Sequence, residues 1–127
     1  MTVSTGEQLA DAQFVSLTTF RKDGTAVPTA VWVAAVPDGL GVWTVADSGK
    51  VKRIRRDGTV TVAVCDLRGT PTGPAVPAHA RVLDADGTAR VRTAVRRKYK
   101  LLGRVLTILS SLRRGDAGSV GIAITLD

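Results

Sequence analysis

The chain has 127 residues, of which 44% are hydrophobic and 4% aromatic, and carries a formal net charge of +7. That length fits one domain over residues 1–127 with a single core, and leaves little room for two. A lone cysteine, Cys65, rules out an internal disulfide, and no Cys/His grouping has the spacing of metal ligands, so no metal is expected.

Residues Met1 to Ala12 are polar and acidic, unlike the basic-then-apolar order of a secretory leader. No apolar run approaches the roughly 20 residues needed to cross a bilayer. A cytoplasmic protein without an integral membrane segment is therefore expected. Phe14 to Phe20 alternates apolar and hydroxyl residues, the pattern of a half-buried strand, and Asp23-Gly24 supplies turn chemistry after it. Ala26 to Val36 reads as a second strand, with Pro28 suggesting an edge or bulge. Asp38-Gly39 repeats the turn, and Leu40 to Ala46 reads as a third strand.

Ser48 to Gly58 lacks this alternation and predicts a short helix of about two turns, capped by Asp47 or Ser48, with Val51 and Ile54 facing inward. Strand character returns at Thr59 to Leu67. Arg68 to Pro77 is a Gly- and Pro-containing loop, and Ala78 to Ala85 reads as a fifth strand. A long helix is predicted over about 88–114, with Thr88 as its cap and an apolar stripe that includes Val91, Val95 and Leu102. Ser119 to Leu126 closes the series. The fold class is mainly β, α+β by content: a six-stranded antiparallel split β-barrel with a short helix after strand 3 and a long helix before the last strand. Closure removes exposed strand edges.

Fourteen of the eighteen Lys and Arg residues fall in two segments, five between Lys50 and Arg56 and nine between Arg90 and Arg114. Such a field attracts anions, whether nucleic acid, anionic lipid or a phosphorylated small molecule. Acid–base equipment is sparse by comparison. The chain has one histidine, His79, expected to be structural or exposed, and Cys65 in its Val-rich strand reads as a small core residue. An enzyme built this way would take its reactive centre from a cofactor.

The richest local signal runs from Trp43 to Arg53. A strand ends, Thr44 follows Trp43, and Ser48-Gly49 enters a helix whose first turn carries Lys50. Helix N-terminal amides, two hydroxyls, a glycine that lets the backbone approach, and an ammonium group can converge there on one phosphate. A solvated basic helix is the other reading of the same residues.

The ordered set Val15 to Gly24, Pro28 to Trp32, Trp43-Thr44, Ser48 to Arg56 and Cys65 to Gly69 resembles the pyridoxamine 5′-phosphate oxidase-like split β-barrel proteins. Within them it is most similar to the actinobacterial group that uses the deazaflavin coenzyme F420. The resemblance implies a homodimer with two cofactor sites along its interface, near the strands around Val31 and Val62. It places the cofactor phosphate at Thr44, Ser48 and Lys50. It also places the tricyclic ring beside Pro28, Thr29, Ala30 and Val31, and an acidic cofactor tail near Lys52, Arg53 and Arg56. The implied function is an F420-dependent oxidoreductase passing a hydride to a small organic acceptor. Flavin mononucleotide (FMN) or haem in the same fold, or a non-enzymatic cofactor- or anion-binding protein, are the alternatives. A nucleic-acid or membrane-surface binder is the reading from a different class. Aromatic side chains for base stacking are scarce, which argues against nucleic acid.

Overall fold

The strands follow the alternation of the sequence closely. The computed structural model describes residues 5–37, 39–46, 48–66, 68–101 and 119–126. Its strands are β1 (Phe14–Phe20), β2 (Ala26–Val31), β3 (Val33–Val36), β4 (Gly39–Val45), β5 (Thr59–Cys65), β6 (Val76–Val82) and β7 (Ser119–Leu126). Three helices, α1 (Thr5–Asp11), α2 (Gly49–Arg56) and α3 (Ala85–Leu101), accompany them. All strand pairs are antiparallel, in the order β2-β1-β5-β6-β7-β4-β3.

That order explains how the sheet closes. Its two edge strands, β2 and β3, are consecutive in the chain and separated only by Trp32. The expected single second strand thus divides into two, giving seven strands where six were expected. Its first part pairs with β1 and its second with β4. A sheet whose edges are tied by one residue must curl until they meet, which leaves a split barrel.

Inside the curl lie Val15, Leu17, Val31, Val33, Leu40, Val42, Val60, Val62, Ile122 and Ile124, all buried. Leu9 of α1 and Val51 and Ile54 of α2 join this core. Each fully buried side chain of this kind contributes roughly 1.5–3 kcal/mol of hydrophobic stabilisation. A second cluster lies outside the barrel, where Val91 and Val95 of α3 cover Ala34 and Trp43. Helix and sheet approach closely there. A Cβ on Gly121 would stand 3.0 Å from Thr88 Cα, and one on Gly41 would stand 3.0 Å from Val91 Cγ2.

Helix α3 starts earlier than the Thr88 cap predicts. Asp84 Oδ1 accepts the Gly87 N–H at 2.8 Å and the Asp84 carbonyl accepts the Thr88 N–H at 2.8 Å, so Asp84 caps the helix. Thr88 is instead buried, and its hydroxyl accepts the Gly121 N–H at 2.9 Å. The fifth strand accordingly ends at Val82 rather than Ala85. The predicted helical stretch 102–114 lies outside the described residues. Among those described, no helix is long and apolar enough to cross a membrane.

Candidate anion-binding site

Helix α2 begins where β4 leaves the barrel. Ser48 holds the N-cap position with extended backbone (φ −70°, ψ 156°), yet its side chain makes no capping bond. Its Oγ is buried without a hydrogen-bond partner. A buried orphan hydroxyl costs about 1–3 kcal/mol unless something occupies it. The first turn carries no acidic residue. Lys50 stands there instead, half-buried, and burial first and the Arg53 charge second hold its ammonium below the usual lysine value.

Arg53 folds back over the same helix start. Its Nε donates to Thr19 Oγ1 at 2.6 Å, and its Nη1 lies 2.8 Å from where a Cβ on Gly49 would be. Gly49 thus makes room for a guanidinium beside the helix N-terminus. Arg56, one turn on, donates from Nη2 to the Phe20 carbonyl at 2.5 Å. Two cations, helix-start amides and an unpartnered hydroxyl therefore lie together, and among the described residues the first turn brings no carboxylate to them. Basic groups at a helix start oppose the macrodipole by about 0.3–1 kcal/mol each, and an anion would offset that conflict. The donor set fits a phosphate.

The other expected site residues are distributed as follows. Thr44 is buried on the inner face of β4, four residues before Ser48. Trp43 points the other way, buried under α3 with the Arg96 guanidinium 5.1 Å from its ring centroid and its Nε1 without a partner. Pro28 and Ala30 are exposed on the outer face of β2, while Thr29 is half-buried and Val31 joins the core. Lys52 is exposed. The structure thus brings Ser48, Gly49, Lys50 and Arg53 together. It sets Trp43 apart from them and divides β2 between two faces.

Thr19 is the member that sequence reasoning missed. It is 1% exposed. The doublet Thr18-Thr19 breaks the apolar–hydroxyl alternation of β1, and that break puts a hydroxyl on the inner face. The signal was present but unread.

Acid–base groups lie elsewhere. His79 is exposed on β6, opposite Thr59. Cys65 is buried, and burial first and Asp66 second push its thiol up, away from thiolate reactivity. Among the described residues no group of His, Cys, Asp or Glu could hold a metal ion.

A split antiparallel barrel with an electropositive helix start is the class that fold and site define. The chain belongs to the pyridoxamine 5′-phosphate oxidase family, whose sequence profile matches residues 4–125. Solved structures agree on the fold. An F420 reductase superposes with a TM-score of 0.62 at 20% identity, over 99% of this chain and 96% of that one. HutZ, a haem-storage protein from Vibrio cholerae, gives 0.63 at 11% identity over 91% and 82%. A conserved hypothetical protein from Mycobacterium tuberculosis gives 0.64 at 20% identity over 99% and 85%. At these identities the likeness carries the fold alone. A comparison with curated proteins finds no match.

Proposed function

We propose that this chain is an oxidoreductase that binds coenzyme F420 and passes a hydride to a small organic acceptor. The observation that carries the reading is the cluster at the start of α2, where the orphaned Ser48 hydroxyl, Gly49, Lys50 and Arg53 converge. A phosphate fits there, and the structural likeness to an F420 reductase over nearly the whole of both chains supports the choice of cofactor. Ser48, Lys50 and Arg53 hold the phosphate, with Thr44 behind them, and Thr19 fixes Arg53. Pro28 and Ala30 form one wall for the ring.

The bound deazaflavin supplies the hydride chemistry. The protein's part is to bind, orient and exclude water, which suits a chain with so few acid–base groups. A homodimer in the cytoplasm completes the reading. Side-by-side titration with F420 and FMN, followed by cofactor fluorescence, tests it. F420 should bind more tightly. Equal or tighter binding of FMN overturns the choice of cofactor, and no binding of either overturns the reading. HutZ, the haem-storage neighbour, makes haem the natural third arm of that titration.

A further inference from the structure

The outward face of α3 carries charge that neither the core nor the site at α2 uses. Val91 and Val95 are buried against the sheet. Half a turn round the helix, Asp86, Arg90, Thr93 and Arg97 stand exposed, at spacings that keep them in one ridge. Over its length α3 holds six cations against one carboxylate, Asp86, which sits in the first turn. Arg92, Arg96 and Lys98 are engaged within the chain, Arg96 over the Trp43 ring and Lys98 on three carbonyls. Arg90 and Arg97 make no hydrogen bond or ion pair with any described residue. They lie about 10.5 Å apart along the helix.

One more carboxylate borders this face. Asp11, at the end of α1, shares a groove with Arg97 and Lys98 and bears on the Lys98 ammonium. Cations still outnumber the two carboxylates. Helix stability does not ask for this pattern, because the macrodipole favours cations only near the last turn, and Arg90 stands in the second.

The sequence that follows α3 points to the partner. From Leu101 to Leu112 seven of twelve residues are Leu, Ile or Val, and Arg104 is the one charge before Arg113 and Arg114. A cationic ridge leading into apolar sequence free of carboxylates matches anionic headgroups over acyl chains. RNA would instead ask for aromatic rings to stack on its bases, and the described residues of the ridge include none.

We propose that the outward face of α3 docks on anionic lipid, so that the barrel lies at a membrane surface without entering the bilayer. The inference stands apart from the cofactor reading. Helix α3 covers Ala34 of β3, Trp43 of β4 and Gly121 of β7, whereas Pro28 and Ala30 belong to β2, so lipid and ring do not compete for the same strands.

Sedimentation of the full chain with vesicles tests the proposal. Mixed phosphatidylcholine–phosphatidylglycerol vesicles should carry the protein down at low salt, pure phosphatidylcholine vesicles should not, and added salt should release it. Arg90→Gln/Arg97→Gln should weaken that binding roughly ten- to thirtyfold, at about fivefold for each arginine near an anionic surface. Arg90→Lys/Arg97→Lys should keep it, since headgroup attraction needs the charge and not the planar fork. Arg21→Gln/Lys22→Gln removes the same charge from the turn after β1 and should cost less than about threefold. All four positions are exposed, so every variant should fold, as circular dichroism would verify.

Equal losses from the two glutamine pairs would assign the binding to net charge and overturn the proposal. So would failure of the lysine pair to hold the vesicles, equal binding to pure phosphatidylcholine, or no binding to either vesicle. An RNA oligonucleotide that strips the protein from the vesicles and needs Arg90 and Arg97 to do so would overturn it in favour of nucleic acid.

Discussion

Lys50 is where burial, charge and helix geometry meet. Its neighbours Val51 and Ile54 carry the core contacts of α2, and its own side chain does not. Lys50→Ala should therefore leave thermal unfolding nearly unchanged. Cofactor affinity should fall about ten- to a hundredfold, the size of one lost charge-assisted contact. Unchanged affinity would return this segment to a solvated basic helix. Because burial first and the Arg53 charge second hold the Lys50 ammonium below the usual lysine value, binding in the parent chain should weaken with rising pH before an ordinary lysine would titrate. Gly49→Ala makes a complementary case. Alanine favours the helix by about 1 kcal/mol over glycine, but its Cβ would displace the Arg53 guanidinium, the far end of a flexible side chain. Stability should hold or rise slightly while anion affinity drops. A variant that loses both would show that Gly49 serves the fold and not the site.

At the scale of elements, Lys98 joins three parts of the chain. Its Nζ donates to the carbonyls of Ala10, Ala12 and Val33 at 2.6, 2.6 and 2.7 Å, tying α3 to the end of α1 and to β3 just after the Trp32 break. Trp32 meets Phe14 edge-on at 5.5 Å beside the same seam. Burial, partly opposed by Asp11, brings the Lys98 ammonium down to about 8. The unfolded chain keeps the ordinary value of 10.5, so between about pH 8 and 10.5 it binds more protons than the folded chain. Stability from this group should rise with pH through that window and be lost as pH falls through about 8. Lys98→Met, followed by denaturant unfolding at pH 7.5 and 10, should remove that rise. It should also cost about 1–3 kcal/mol at the lower pH, through carbonyls left without their donor. A pH dependence identical in both chains would show that other groups govern it.

The same elements show what the sequence could reveal. Strand β1 and strand β7 were legible to the residue, because period-two alternation and turn residues are local signals. Gly24, at φ +88°, supplies the left-handed turn that Asp23-Gly24 predicts. The division at Trp32 was not legible, since Ala26 to Val36 is continuously strand-like and only pairing with β4 on the far edge breaks it. Helix α1 was missed because its seven residues offer little periodicity, and its place depends on Leu9 reaching the barrel core. The Asp84 cap lost to Thr88 for a local reason, Gly87 being a poor first-turn residue. Of the site, Ser48-Gly49-Lys50 could be read from a strand-to-helix junction. The pairing of Arg53 with Thr19 spans 34 positions and needed the fold.

On the scale of the whole molecule, one barrel would offer the ring of the proposed cofactor only one wall. Pro28 and Ala30 remain exposed on the outer face of β2, and by register they share that face with Thr18 and Ser16 of β1. Val31 and Val62, on the strands expected at the interface, point into the core instead, so any contact there belongs to their outward neighbours Ala30 and Thr61. Val45 lies 41% exposed at the end of β4, and its carbonyl accepts the Ser48 N–H at 3.3 Å, which places an uncovered apolar side chain beside the anion site. A second copy related by a two-fold axis would cover both features and supply the missing wall at two equivalent sites. Light scattering with cofactor present should thus give twice the 13.3 kDa of one chain. Ala30→Arg, which sets a charge on the outer face without touching the core, should lower dimer content and cofactor affinity together. Lys50→Ala should lower affinity with the dimer intact. A cofactor-bound monomer at micromolar concentration would mean that one barrel completes the site alone, and the surface around Ala30 would then have to bind the ring unaided.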